Sequence, residues 1–314
     1  MRVGIIGRGF GSYGAAPAFE ATDGCEVVGV VSPRDRDQVA KLCDEVDLVS
    51  VHSPPFMHLE DVRLAVERGR AVLCDKPFGR NAEEARAMRD MAVEAGTLHF
   101  LNFQLRFLNT RARLRELVAE GAIGVPERVV MTMYIHIARR RPYAWMFDAS
   151  LGGGWLRTQG SHWIDFTRWA FGEIEDITGQ RDFLIGERSD DEGTVHPCTA
   201  DDAFTLRLRT ERNVTVAMDS TWASTVGLTP SVLVMGSEGA IEEVGIGTRI
   251  VRHSKAGPED LFTADAGANP LLDPMKTWVG LIRDAVNEGA TPPGVPTFDD
   301  GLTCVEVMDR VASA

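Results

Sequence analysis

The sequence predicts an α/β protein of two domains: an N-terminal Rossmann-type, doubly wound parallel sheet over residues 1–121, and over 122–314 an α+β domain on a large, mostly antiparallel open sheet. Three observations carry this. Up to Phe103, apolar runs alternate with segments of helical periodicity, the pattern of βαβ units with right-handed crossovers. The first run leads at once into the glycine loop Gly7-Arg8-Gly9-Phe10-Gly11. Past Gly121 the texture changes to short apolar runs spaced by turn residues.

Composition excludes several classes. The 314 residues, 44% hydrophobic and 25% charged, suffice for two cores. A formal charge of −13 argues against a surface built to neutralise phosphate backbones or to lie on anionic lipid, so neither nucleic acid nor a membrane is expected as partner. The five cysteines are scattered and form no CxxC pair, which fits a reducing cytoplasm better than a disulfide framework. His99, His136, His196 and His253 show no metal-ligand spacing, so no metal is expected. Met1-Arg2 runs straight into the first strand and no apolar run reaches bilayer length, so no signal peptide or membrane span is expected.

Val3–Ile6 is the first strand and Ala15–Thr22 the first helical stretch. Between them Gly7 permits a tight turn and Gly9 a close approach of backbone to a pyrophosphate, whose charge the free N–H groups of the helix start would meet. Phe10 and Gly11 complete this loop, and the third fingerprint position holds Ser12. Glu26–Val31, Val46–His52, Arg70–Cys74 and Leu98–Phe103 are the next four strands. His58–Arg68 and Ala82–Ala95 have helical spacing, with Asn81 and Glu84 as a capping box. After Val31, where an acid usually binds the adenosine ribose, stands Ser32-Pro33-Arg34. A hydroxyl and a guanidinium suit a 2′-phosphate, so NADP is expected; NAD is the alternative if Asp35 or Asp37 takes the ribose. Ser53-Pro54-Pro55 closes the third strand at its carboxyl edge, beside the expected cofactor, and His58 follows in the next turn.

Val72-Leu73-Cys74-Asp75-Lys76-Pro77 is an apolar run ending in an acid, a lysine and a proline. Pro77 lacks a donor and disfavours helix at Lys76, so the strand stops there, and the lysine emerges where parallel sheets bind ligands. Arg106, after the fifth strand, either reaches substrate or forms a structural salt bridge. Beyond Gly121, Val129–Ile137, Thr194–Leu208, Val214–Trp222, Val232–Met235 and Arg249–Arg252 are expected strands. His162–Phe171, after Gly152-Gly153-Gly154, is a helix, as are Met275–Glu288 and Asp300–Ala312, the last of which could return to the first domain. Arg139-Arg140-Arg141-Pro142, ahead of Trp145, would suit an acidic substrate or form a solvated loop.

Gly7-x-Gly9, Ser53-Pro54-Pro55-x-x-His58, Asp75-Lys76-Pro77, Gly152-Gly153-Gly154, Gly160-x-His162-x-x-Asp165 and Gly236-x-Glu238-Gly239 occur in the order typical of the Gfo/Idh/MocA oxidoreductases, which the whole chain resembles. The resemblance implies an NAD(P)-binding domain, a second domain whose open sheet faces substrate or another subunit, and a homodimer or homotetramer through that sheet. It also implies hydride transfer between nicotinamide and an alcohol or ketone of a sugar or cyclitol. The lysine of the family's Glu-Lys-Pro motif, an active-site residue, is Lys76; the preceding acid is Asp75, one methylene shorter. Where the family carries Asp-x-Gly-x-His, this chain has Thr158-Gln159-Gly160-Ser161-His162.

Oxidising a carbinol requires a base for the hydroxyl proton and a donor for the developing oxyanion. His162 suits the first role and Lys76 the second, or the reverse, with Asp165 orienting His162 or pairing with Arg168. Trp145 and Thr158 are further candidates to touch substrate. Two other classes stay open within the resemblance: a glycosidase that retains its cofactor, and a dinucleotide-binding regulator without catalysis.

Overall fold

The computed structural model describes residues 1–265 and 267–312. Two compact units emerge: Met1–Phe107 with Leu271–Glu306, and Leu108–Pro270 with the end of the chain from Val307.

In the first unit, β1 (Arg2–Ile6), α1 (Ala16–Glu20), β2 (Glu26–Val31), α2 (Arg36–Asp44), β3 (Leu48–Val51), α3 (Pro55–Glu67), β4 (Ala71–Cys74), α4 (Ala82–Glu94) and β5 (His99–Leu101) alternate along the chain. The strands form one parallel sheet in the order β2-β1-β3-β4-β5. Every residue of β3 and β4 is buried, as a sheet covered on both faces requires, which is why these runs read as continuously apolar. The order reverses beside β1, placing the ligand crevice beyond the carboxyl ends of β1 and β3. Asp35 starts α2 by accepting from the Gln38 N–H at 3.1 Å. Asn81 starts α4 the same way on Glu84 N–H (2.9 Å), and the Glu84 carboxylate returns to the N–H of Arg80 (2.9 Å), one residue ahead of the usual capping-box partner.

The second unit contains α5 (Asn109–Ala119), β6 (Pro126–Tyr134), α6 (Ser161–Phe171), β7 (Ile174–Asp182), β8 (Glu187–Ser189), β9 (Val195–Pro197), β10 (Ala203–Thr210), β11 (Thr215–Thr221), β12 (Ser231–Gly236), β13 (Ala240–Val244), β14 (Arg249–Ser254) and β15 (Gly257–Thr263). Eight strands run β15-β14-β13-β12-β6-β11-β10-β7, all antiparallel except the β6–β11 pair, while β8 and β9 make a separate hairpin. Along β10, Phe204, Leu206 and Leu208 are buried and Thr205, Arg207 and Arg209 exposed, the alternation of a sheet with one covered face. The expected strand Thr194–Leu208 is broken in two. Asp201 and Asp202 lie in the break, and their carboxylates accept from the N–H groups of Leu156 (2.8 Å), Leu184 (2.8 Å) and Ile185 (2.9 Å). Strands β7, β13 and β15, with their many polar residues, went unmarked in the apolar pattern. The first unit closes at Phe107, ahead of Gly121, because α5 packs on β13 of the second unit.

Helix α7 (Leu272–Glu288) belongs to the first unit, where Met275, Trp278, Val279 and Ile282 join a core with Phe19 and Phe100. The Trp278 ring meets Phe100 edge-on and stacks on Phe107, with centroids 5.8 and 4.9 Å away. The last helix, α8 (Phe298–Ala312), belongs to the first unit through Glu306 and to the second from Val307. Among the described residues no helix is long and apolar enough to cross a membrane.

Candidate active site

The glycine loop shows what the sequence demanded of it. Gly7 has φ +119°, and a Cβ there would stand 2.3 Å from the carbonyl oxygen of His52, so no other residue fits. Gly9 is the opposite case: no protein atom lies within 4 Å of where its Cβ would be, leaving its backbone open to a ligand. Gly11–Ala15 makes a π-helical turn leading into α1, and half-buried Phe10 packs edge-on against Tyr13 and tilted against His52, both at 5.5 Å. A sharp turn, an open glycine and a helix start with orphan N–H groups suit a dinucleotide pyrophosphate. Gly7, Gly9, Phe10 and Gly11 are thus gathered in one loop.

At the end of β2, Ser32, Arg34, Asp35, Arg36 and Asp37 line a shallow open pocket. Arg34 is exposed there. Arg36 donates to Pro33 O (3.0 Å) and to buried Asp61 (2.5 Å), whose other oxygen accepts from the Ser53 hydroxyl at 2.6 Å. The side chain of Ser53 is therefore turned to α3, which Pro54 enters as an extended N-cap residue and Pro55 opens at the first helical position, where a missing N–H costs nothing. His58 has no exposed surface; its Nε2–H donates to Ser53 O at 2.6 Å, and burial pushes its pKa down against that bond. It braces the loop from beneath, which corrects the expectation of a cofactor contact: a ring without surface presents nothing to a ligand.

At the end of β4 stands the densest polar set of the first unit. Asp75 accepts from His52 Nδ1–H at 3.0 Å on one oxygen, and on the other from Lys76 N–H at 2.9 Å and Asn102 Nδ2–H at 3.2 Å. The carboxylate accepts, so His52 carries its proton on Nδ1, and Nε2 accepts from the Ser50 hydroxyl at 2.8 Å, a tautomer assigned from the network. Burial pushes the Asp75 carboxyl up, but the His52 hydrogen bond, with the charge of Lys76, outweighs it and holds the pKa at about 2. Burial, opposed by Asp75, lowers the pKa of half-buried Lys76. The Lys76–Pro77 peptide is cis. Arg106, also in this unit, has a side chain only 4% exposed, paired with Asp300 at 2.9 Å; of its two expected roles the structure takes the salt bridge.

In the second unit, Gly153 and Gly154 are packing requirements: a Cβ on either would stand 2.6 Å from Trp145 O or Asp201 Oδ1. Half-buried Trp145 starts a 3₁₀ turn ending at Phe147. Thr158 lies in a π-helical turn, Leu156–Gly160, and donates its hydroxyl to Gly154 O at 2.9 Å. Buried His162 follows in the first turn of α6 with buried Asp165, and the Arg168 guanidinium pairs with Glu173 at 2.7 Å. Of the arginine run, Arg139 is spent on Ala223 O (2.7 Å) and Arg141 reaches Met146 Sδ (3.5 Å).

Residues 1–103 match the oxidoreductase family with the NAD-binding Rossmann fold, and residues 112–242 the GFO/IDH/MocA C-terminal domain. The chain belongs to the GFO/IDH/MocA oxidoreductase family. An uncharacterized oxidoreductase of Synechocystis is 25% identical over the whole chain and 94% of its own length. Inositol 2-dehydrogenase of Rhizobium meliloti is 26% identical over 94% of this chain and 84% of its own. The fold is that of levoglucosan dehydrogenase, solved with NADH and L-sorbose, at TM-score 0.87 and 20% identity over 100% of this chain and 96% of the other.

Within this oxidoreductase, two residues of the strand-end set were missed in the sequence: His52, which closes an apolar run, and Asn102, hidden in another. The only signal available was a polar residue at the end of one run and next to the end of the other, at the carboxyl edge. The network predicts an acid response. The lowering of Asp75 from 3.8 to about 2 corresponds to about 2 kcal/mol, for a side chain 14% exposed. Because the folded-state value is depressed, that stability is present above about pH 4 and lost as pH falls toward 2. Asp75→Asn should cost about 2 kcal/mol at pH 7 and flatten the stability curve across this window in urea titrations. An unaltered acid limb would refute the network's contribution.

Proposed function

We propose that the protein is an NADP-dependent dehydrogenase or reductase acting on a secondary alcohol or ketone of a sugar, cyclitol or related small polar molecule. The observation that carries the cofactor choice is the disposition of charge after β2. Asp35 is engaged as the cap of α2 and Arg36 by Asp61, while Arg34 lies exposed beside Ser32 in the open pocket. That edge favours a 2′-phosphate over a ribose hydroxyl. The inositol 2-dehydrogenase relative supports the substrate class.

Bound nicotinamide dinucleotide supplies the redox partner. The protein must then move the hydroxyl proton and steady the oxygen: in this reading His162 is the base and the Lys76 ammonium donates to the substrate oxygen. Thr158, donating to Gly154 O, adds no second base. Copies of the chain would pair through the open sheet into a homodimer or homotetramer, in the cytoplasm.

Arg34→Ala should weaken NADP binding about tenfold or more, the scale of one charge-assisted phosphate contact, and leave NAD binding within about twofold. Equal NADP affinity in wild type and variant, measured by titration of intrinsic fluorescence, would sink the preference. The hydroxyl in place of a carboxylate at Thr158 favours a second reading, a dinucleotide-binding regulator without turnover. Absorbance of the reduced nicotinamide across a panel of sugars and cyclitols separates the two: net change supports the dehydrogenase, and binding without change the regulator.

A further inference from the structure

In the strand-end motif of this chain the acid is one methylene shorter than the glutamate of its family, and a histidine from the neighbouring strand end meets it. We propose that His52 is a positioning residue of the site, its Nδ1–H anchoring the Asp75 carboxylate and so fixing where that negative charge stands relative to Lys76. The inference rests on the reading of Lys76 as the group that meets the substrate oxygen.

His52 is itself held from every side. Its N–H donates to Ile6 O at 2.7 Å, its carbonyl lies against Gly7, and its ring packs on Phe10 and accepts at Nε2 from Ser50. A Cβ on Gly11 would stand 3.4 Å from its own Cβ. The side chain is wholly buried, so the ring cannot swing into solvent. The same residue that forces glycine at position 7, in the loop shaped for a pyrophosphate, thus holds the acid beside Lys76.

Anchoring matters because a carboxylate in a low-dielectric site takes whichever donors are nearest. Here three donors other than the ammonium already occupy it: His52 Nδ1, Asn102 Nδ2 and Lys76 N–H. Without His52 the anion would turn to Lys76, whose charge already acts on it, and hold its proton more tightly. The other charged or titratable groups about this set are Cys74, whose buried thiol lies 3.5 Å from Asp75 O and is pushed up in pKa by burial, and His58 and Asp61, both on α3 and both fully buried. His58 is hydrogen-bonded to Ser53 O, and Asp61 to Ser53 and Arg36, so neither can replace the histidine donor.

The chain has four lysines, Lys41, Lys76, Lys255 and Lys276, so acetic anhydride labelling across pH, read by mass spectrometry, reports Lys76 individually. His52→Asn places an amide nitrogen near the position of Nδ1; His52→Gln places it near Nε2 and abandons Asp75. The labelling midpoint of Lys76 should rise by about half a pH unit or more in His52→Gln and stay in place in His52→Asn, with the other three lysines unmoved in both. Turnover of His52→Gln should fall about tenfold or more while its NADP dissociation constant stays within about threefold, since orientation and not binding is lost. An unmoved Lys76 midpoint in His52→Gln, or the same displacement in both variants, overturns the proposal. If Lys76→Ala retains turnover while the His52→Gln midpoint still rises, the anchoring by His52 stands and the catalytic assignment of Lys76 falls.

Discussion

Replacing Lys76 by alanine is expected to lower turnover about 10²–10⁴-fold, the range of a positioned proton-transfer or oxyanion-donor group, while the NADP dissociation constant changes by less than about threefold. The expectation follows from its surroundings: a lysine at the carboxyl end of a parallel strand, with burial lowering its pKa and Asp75 opposing. Lys76→Arg should not restore the rate, because a planar guanidinium keeps the positive charge but does not place a donor where the compact ammonium stands. Rescue by arginine would reduce the role of Lys76 to that of a fixed charge. His162→Ala should cost a comparable factor. Full turnover in both alanine variants, measured with the substrate that the sugar and cyclitol panel identifies, would refute the assignment.

The largest stability effect is expected at Glu243, far from the glycine loop in sequence. In the second unit it accepts from Arg111 and Thr110 at 2.5 Å each and from Gly247 N–H at 3.2 Å. Arg111 also lies over the Phe166 ring, 4.5 Å from its centroid, so the pair ties α5 to β13 and α6. The two side chains are 4% and 2% exposed. Glu243→Ala would strand a buried guanidinium, and removing one partner of such a pair costs about 3–5 kcal/mol. Denaturant unfolding followed by circular dichroism should show that loss, with a smaller one for Glu243→Gln, whose amide oxygen still accepts. The exposed Arg113–Glu116 pair is the control: Glu116→Gln should leave the unfolding midpoint nearly unchanged. A loss at Glu243→Ala no larger than the control's would show that the buried pair is not what holds α5.

Several features were legible in the sequence because their causes are local. Period and run length mark the five strands of the parallel sheet. Gly7 is needed for a positive φ that the turn imposes, and Pro77 ends β4 at Lys76 by lacking a donor. Asn81 caps α4 through a bond only three residues long. The family motifs, which depend on order and spacing, were legible for the same reason, and the two family matches bear out that resemblance.

Only the tertiary structure decided which partner each polar side chain takes. Arg106 pairs with Asp300, 194 residues away, and Asp75 draws on His52 and Asn102, 23 and 27 residues away. His58 points inward to Ser53 O, where its place in the turn after the carboxyl edge of the third strand had put it near the expected cofactor. Backbone dihedrals and hydrophobic periodicity act over a few residues and can be read along the chain. A buried donor's partner is set by whichever acceptor the assembled strand ends bring within about 3 Å, and that distance exists only in the fold.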